Sequence, residues 1–143
     1  MLAVQEISDR FAIQDVLARY GFAMDDRDWD ALDELFAPDA VLDFSAAGGP
    51  KGGLEDFKAW LPDMLATFPR IQHMVSLPDI RIDGDAALCR SIVFNPMVMR
   101  MPNGTEQVMF IGLSHRDRLV RTPEGWRIRE RIEDITYTHN TPG

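Results

Sequence analysis

The sequence predicts an α+β fold: a curved antiparallel sheet, a half-barrel shaped like a cone, packed on three N-terminal helices. Helical spacing of apolar residues is confined to the first half, and period-two alternation to the second. A parallel α/β sheet would interleave the two patterns, so segregation argues for α+β. Glycine and proline turn signals divide the second half into strands long enough to curl.

Ile13, Leu17, Tyr20 and Met24 fall at helical spacing, flanked by Phe11 and Val16. The charges Glu6, Asp9, Arg10, Asp15 and Arg19 fill the other faces, giving an amphipathic first helix. Asp25-Asp26-Arg27 then turns the chain. Asp28 is placed to cap a second, short helix carrying Trp29, Leu32, Leu35 and Phe36, which Pro38 ends. Val41, Leu42 and Phe44 read as a first strand, and the flexible run Gly48 to Gly53 as a surface loop. A third helix spans about Leu54 to Phe68, with Pro62 kinking or restarting it.

From Arg70 the period is two. Ile71, His73, Val75 and Leu77 share one strand face, and Gln72, Met74 and Ser76 the other. Asp83-Gly84-Asp85 is a hairpin signal leading into Ala87 to Met99. Turns at Pro102-Asn103-Gly104 and Pro123-Glu124-Gly125 bound strands of about Gln107 to Arg121 and Trp126 to Tyr137. Helices closing the open side of such a meander leave a cavity where a ligand could sit.

The 143 residues suit one domain, residues 1–143, and no apolar run reaches the ~20 residues of a membrane span. The start MLAVQEISDRF lacks a basic segment followed by an apolar one, so no secretion signal is expected. Together with the lone Cys89, that points to the cytoplasm. A formal net charge of -8 repels phosphate backbones, which argues against a nucleic-acid partner.

Of three histidines, His139 lies in the polar tail THNTPG and reads as solvated. His73 is the unusual one, because it occupies an inward strand position between Ile71 and Val75. Burying an unpartnered polar ring costs about 1–3 kcal/mol, so a partner is required. Asp25 is the candidate: it borders the buried stripe at the C-terminal end of the first helix, where the helix dipole disfavours a carboxylate. A His–Asp pair answers both anomalies, fixing one tautomer and leaving the other ring nitrogen basic. The plainer alternatives are a hydrogen-bonded core histidine and a turn carboxylate in the run DDRD.

Tyr20 shares the same stripe and is either a cavity hydrogen-bond donor or a core tyrosine. Arg131, by parity, points away from the Trp126 face unless a bulge near Glu130 re-aims it. His115 is a candidate for another cavity wall. No HxH, HxxxH or CxxC spacing favours a metal, and no glycine-rich loop between strand and helix favours a phosphate or dinucleotide. Proton transfer without a cofactor is the chemistry left.

The segment I-x-D-V-L-x-R-Y-x-x-x-x-D-x-R-D-W-D-x-L-x-x-L-F-x-x-D-A (Ile13 to Ala40) resembles the opening of SnoaL-like proteins of the nuclear transport factor 2-like superfamily. I-Q-H-M-V-S (Ile71 to Ser76) and E-G-W-R-I (Glu124 to Ile128) fit the same family in the same order. The resemblance covers nearly the whole chain and implies a cone with a deep apolar pocket. It lies nearest to the scytalone dehydratase, bile-acid dehydratase and hexachlorocyclohexane dehydrochlorinase group, whose Asp–His pair falls on Asp25 and His73. Tyr20 matches a tyrosine of the bile-acid enzyme, where the dehydrochlorinase has lysine. Arg131 matches the dehydrochlorinase's arginine in the final strand.

The departures are Met24 and Phe44 in place of tyrosines of scytalone dehydratase, Met97 near its second histidine and His115 near its asparagine. With Phe44, Val93, Met97 and Met109 as lining, the implied substrate is a small hydrophobic ring compound: steroid, terpenoid or aromatic polyketide. The expected activity is a cofactor-free lyase, a dehydratase. An isomerase or polyketide cyclase using the same base is one alternative. A non-catalytic assembly role, as in the small subunit of ring-hydroxylating dioxygenases, is the other. Self-association through the open sheet face, as a homodimer or homotrimer, is expected in each case.

Overall fold

A computed structural model describes residues 1–142. Helix α1 (Val4–Asp26) buries Ile13, Leu17, Tyr20 and Met24, the stripe that the spacing predicts, with Val16, Gly21 and Ala23 beside it, and it also buries Asp9, which the spacing places with the polar faces. Phe11 is exposed instead, one position off that stripe. Arg27 closes the helix in a left-handed conformation, φ 54°. Its guanidinium reaches the carbonyls of Leu65 and Phe68, tying the end of α1 to the segment after the second helix.

Among the described residues there are two α-helices, not three. The predicted second helix is a single 3-10 turn, Asp30–Glu34, started by an Ala31 N–H bond to the Asp28 carboxylate. The chain then enters strand β1 (Phe36–Asp43). The free edge of the last strand outcompetes a helix here, with Ile128 N–H donating to Leu35 O at 2.8 Å. Pro38 therefore does not stop a helix. It lies in β1 where the register is irregular between Phe36 and Val41, since proline has no N–H for a ladder. Strand β2 (Lys51–Gly52) pairs with the end of β1, so the loop from Gly48 to Gly53 is partly strand. Helix α2 (Leu54–Leu65) buries Leu54, Phe57, Leu61 and Leu65 and ends three residues before Phe68. Burying each of its large apolar side chains stabilises the fold by about 1.5–3 kcal/mol.

Five strands follow: β3 (Arg70–Ile71), β4 (Met74–Val75), β5 (Asp79–Asp83), β6 (Ala86–Arg100) and β7 (Glu106–Thr122). The last strand is β8 (Gly125–His139). The sheet order is β2-β1-β8-β7-β6-β3, with β4 and β5 also pairing along β6. It is mixed rather than purely antiparallel, because β1 and β8 run parallel. The sheet is curved and unclosed. All three turn signals fold as turns, with Gly84, Gly104 and Gly125 at positive φ. Helices and sheet share one core, and among the described residues no helix is long and apolar enough to cross a membrane.

Asp9 locks the start of α1 to the far hairpin. It accepts two bonds from Arg121 (2.7 and 2.9 Å) and one from Trp126 Nε1 (3.1 Å). The Arg121 bonds outweigh burial and hold the Asp9 carboxyl well below the usual carboxylate range. A depressed folded-state pKa means stability that is present above the unfolded value, ~3.9, and lost as pH falls below it. Thermal melts across that window are expected to show an acid-induced loss that Asp9→Asn removes, with the variant melting lower at neutral pH.

Candidate active site

The line of strands β3 and β4 breaks at Gln72 and His73 for a local reason. Gln72 N–H donates to Pro96 O, but Pro96 returns no N–H. The register is the same on both sides of the break, which sets His73 across from Asn95 on β6. The His73 N–H is claimed by a side chain instead. Asp25, in the last turn of α1, accepts it through Oδ2 at 3.0 Å, and its Oδ1 lies 2.6 Å from His73 Nδ1. One carboxylate thus fixes both the backbone and the ring. It selects the Nδ1–H tautomer and leaves the Nε2 lone pair unused.

A cavity of about 250 Å³ lies between the helices and the concave sheet face, and His73 is on its wall. Tyr20, Phe44, Met97 and Met109 line it as well, as the sequence predicts. Asp25 stands behind His73, outside the lining. Three predicted positions also differ. Val93 is fully buried but is not on the cavity wall. His115 is buried one layer back, with its ring 5.6 Å from that of Tyr20 and Nε2 3.0 Å from Glu133 Oε1.

Arg131 is buried and points inward, against its parity from Trp126. A bulge at Arg129, where Arg118 pairs with Glu130 but Leu119 with Ile128, re-phases the strand. Its guanidinium does not reach the cavity. It pairs with Asp117 at 2.7 and 2.8 Å and lies 4.2 Å from the centre of the Tyr20 ring. Burial works against its charge, and the Asp117 carboxylate outweighs that, so Arg131 remains a cation. Burial likewise keeps the Tyr20 phenol protonated, above its usual range.

The structure adds two polar groups to the cavity wall. Asn95 brings an amide whose Oδ1 has no hydrogen-bond partner among the described residues. Glu133 brings a carboxyl that burial pushes up to about 7, against the pull of Arg131. Burial, then the nearby Arg131 and His73, hold the His115 ring well below its ordinary pKa, so it is neutral. The strict alternation of β6 would have marked Asn95 as inward. Glu133 carries no such signal, because the bulge that turns it inward is invisible in RIRERIED. Among the described residues no three His, Cys, Asp or Glu side chains cluster as a metal site would require.

Residues 5–132 match the SnoaL-like domain family. Uncharacterized proteins of Mycobacterium tuberculosis and Mycobacterium bovis are 47% identical over 133 residues, covering 93% of this chain and 89% of each relative. The fold superposes on a provisionally assigned scytalone dehydratase of Novosphingobium aromaticivorans with TM-score 0.84 and 19% identity, over 96% of this chain and 91% of that one. It superposes on a hexachlorocyclohexane dehydrochlorinase with TM-score 0.80 and 17% identity, over 96% and 92%. A nuclear transport factor 2-like protein of Salmonella enterica gives 0.77 and 20%, over 96% and 97%.

Proposed function

The chain belongs to the SnoaL-like family, and from that fold and the geometry of Asp25 and His73 we propose a cofactor-independent lyase, a dehydratase of small cyclic substrates. The single observation that carries this reading is the 2.6 Å contact beside an open apolar cavity. His73 Nε2 removes a proton from a carbon acidified by a neighbouring carbonyl. Asp25 orients the ring and stabilises the imidazolium that forms. Tyr20, held protonated, donates a hydrogen bond to the carbonyl as enolate charge develops. Electrons then move from the broken C–H bond into a new C=C bond, and the β-hydroxyl departs.

An apolar cavity of about 150 Å³ holds a benzene, so about 250 Å³ suits one or two rings. This favours a small terpenoid or a bicyclic aromatic-polyketide fragment over a four-ring steroid. The neighbours support dehydration by analogy of fold, and the dehydrochlorinase supports elimination more generally. A non-catalytic assembly domain would fit a plugged cavity with Asp25 and His73 apart, and neither condition holds here. Self-association is proposed through the convex face, where Leu88, Ile92 and Phe94 are exposed.

The test uses β-hydroxytetralone, whose loss of water gives a naphthol. Turnover in deuterated water is expected to yield naphthol, followed by its ultraviolet absorbance. Deuterium appearing at a shifted carbon of an unhydrolysed, still hydroxylated product would instead assign an isomerase.

A further inference from the structure

The dyad supplies a base, but hydroxide is a poor leaving group, and besides His73 the polar side chains on the cavity wall are Tyr20, Asn95 and Glu133. Of these Glu133 is the one carboxylic acid. It lies on β8, one strand beyond β7 and two beyond β6, while His73 lies on the opposite side of β6. Three strand spacings of ~4.8 Å, together with an offset along the strands (His73 faces Asn95, whereas Glu133 lies across His115 from Ser91), separate their backbones by roughly 20 Å along a flat sheet. Both side chains nonetheless line the one cavity on the concave face. Tyr20 spans it, its ring 6.4 Å from that of His73 and 5.6 Å from that of His115.

We propose that Glu133 is a second catalytic residue of this cavity, the general acid that protonates the departing hydroxyl while His73 takes the carbon-bound proton. The inference rests on the dehydratase reading and adds the leaving-group half of the reaction to it. Glu133 Oε1 sits 3.0 Å from His115 Nε2, and its Oε2 has no hydrogen bond within the protein among the described residues. In this proposal the neutral His115 carries its proton on Nε2, so that it donates to Oε1 as a positioning residue and leaves the acidic proton on Oε2, for the cavity. The step balances without any co-reactant. The C–H pair becomes the C=C bond, the C–O pair stays with oxygen, and the Glu133 proton converts that oxygen into water. Glu133 is left ionised and His73 protonated, and one proton passed between them or through solvent restores both.

The groups around Glu133 favour the acid form. Burial is the largest influence, Arg131 opposes it, and Asp134 on the same strand assists it. Tyr20 from α1 and His115 from β7 face it in neutral form. Asp117 on β7 is spent on Arg131, Asp43 on β1 is turned to Ser45, and His73 looks across the cavity. An acid that titrates at about 7 gives a rate that falls as pH rises through that value.

Glu133→Gln keeps the size and a hydrogen bond to His115 but cannot give up a proton. It is expected to slow loss of water from β-hydroxytetralone by about 10²-fold or more and to erase the high-pH limb. The acetate ester of the same alcohol provides the control, because acetate leaves without protonation. Glu133→Gln should turn over the ester at close to the wild-type rate, whereas His73→Ala should fail on both substrates. Equal losses of Glu133→Gln on alcohol and ester, or none on either, overturn the proposal. Independently of turnover, infrared difference spectra between pH about 6 and about 8 should show a protonated carboxyl band disappearing, and Glu133→Gln should lack that band. Its absence from the wild type overturns the proposal too. If instead His73→Ala retains the wild-type rate on the ester, it is the dyad that fails.

Discussion

His73→Ala is expected to lower turnover of β-hydroxytetralone by about 10²–10⁴-fold while leaving the thermal melt close to wild type. Among the described residues the ring's one hydrogen bond is to Asp25, and its loss enlarges a cavity that is already open. Asp25→Asn isolates orientation from the base itself. The asparagine oxygen can still accept the His73 backbone N–H, so the break between β3 and β4 stays in place. Its amide, however, offers a donor where the carboxylate offered an acceptor, which favours the Nε2–H tautomer and removes the lone pair from the cavity side. A comparable tautomer error in a serine protease triad costs about 10⁴-fold. Initial-rate measurements on both variants, with melts recorded alongside, check the expectation. Near-native turnover by either removes the dyad mechanism.

The second large effect is on stability. Arg131 and Asp117 are 1% and 0% exposed in their side chains, and each is the other's charge partner. Arg131→Met leaves Asp117 buried without its counter-ion, which is expected to cost about 3–5 kcal/mol. A urea midpoint far below wild type would report it. The double variant Arg131→Met with Asp117→Leu removes both charges and should recover most of the loss, because well-packed apolar replacements of a buried pair are often neutral. If the single and double variants are equally unstable, Arg131 acts through its packing on Tyr20 and Phe36 rather than through its charge.

The residues reveal some of this molecule and conceal the rest for identifiable reasons. The buried stripe of α1 and the alternation of β6 are written into single elements, so spacing alone exposes them. The glycine turns are equally local. Asp25 and His73 are distant in sequence, yet each was anomalous for its own position, and the two anomalies resolve each other. Events between elements stay hidden. Leu32, Leu35 and Phe36 satisfy a helical pattern, but the exposed edge of β8 pulls Phe36–Asp43 into a parallel strand that no local rule foretells.

The bulge at Arg129 had the widest consequences. It turns Arg131, Glu133 and Ile135 inward from a run that reads as a solvated charged face. Family resemblance matches Arg131 but does not aim it, and nothing in RIRERIED marks Glu133. His115, a candidate for the cavity wall from the sequence, is buried behind that wall instead. The Tyr20 and Phe44 rings beside it and its bond to Glu133 are what keep it a layer behind the cavity.

The central claim concerns one nitrogen atom. Nitrogen NMR of the His73 ring, recorded with the imidazole neutral and then with naphthol added, addresses it directly. A protonated Nδ1 and a bare Nε2 that shifts when naphthol enters the cavity is the result this account requires. A proton on Nε2, or an Nε2 signal indifferent to naphthol, would contradict it.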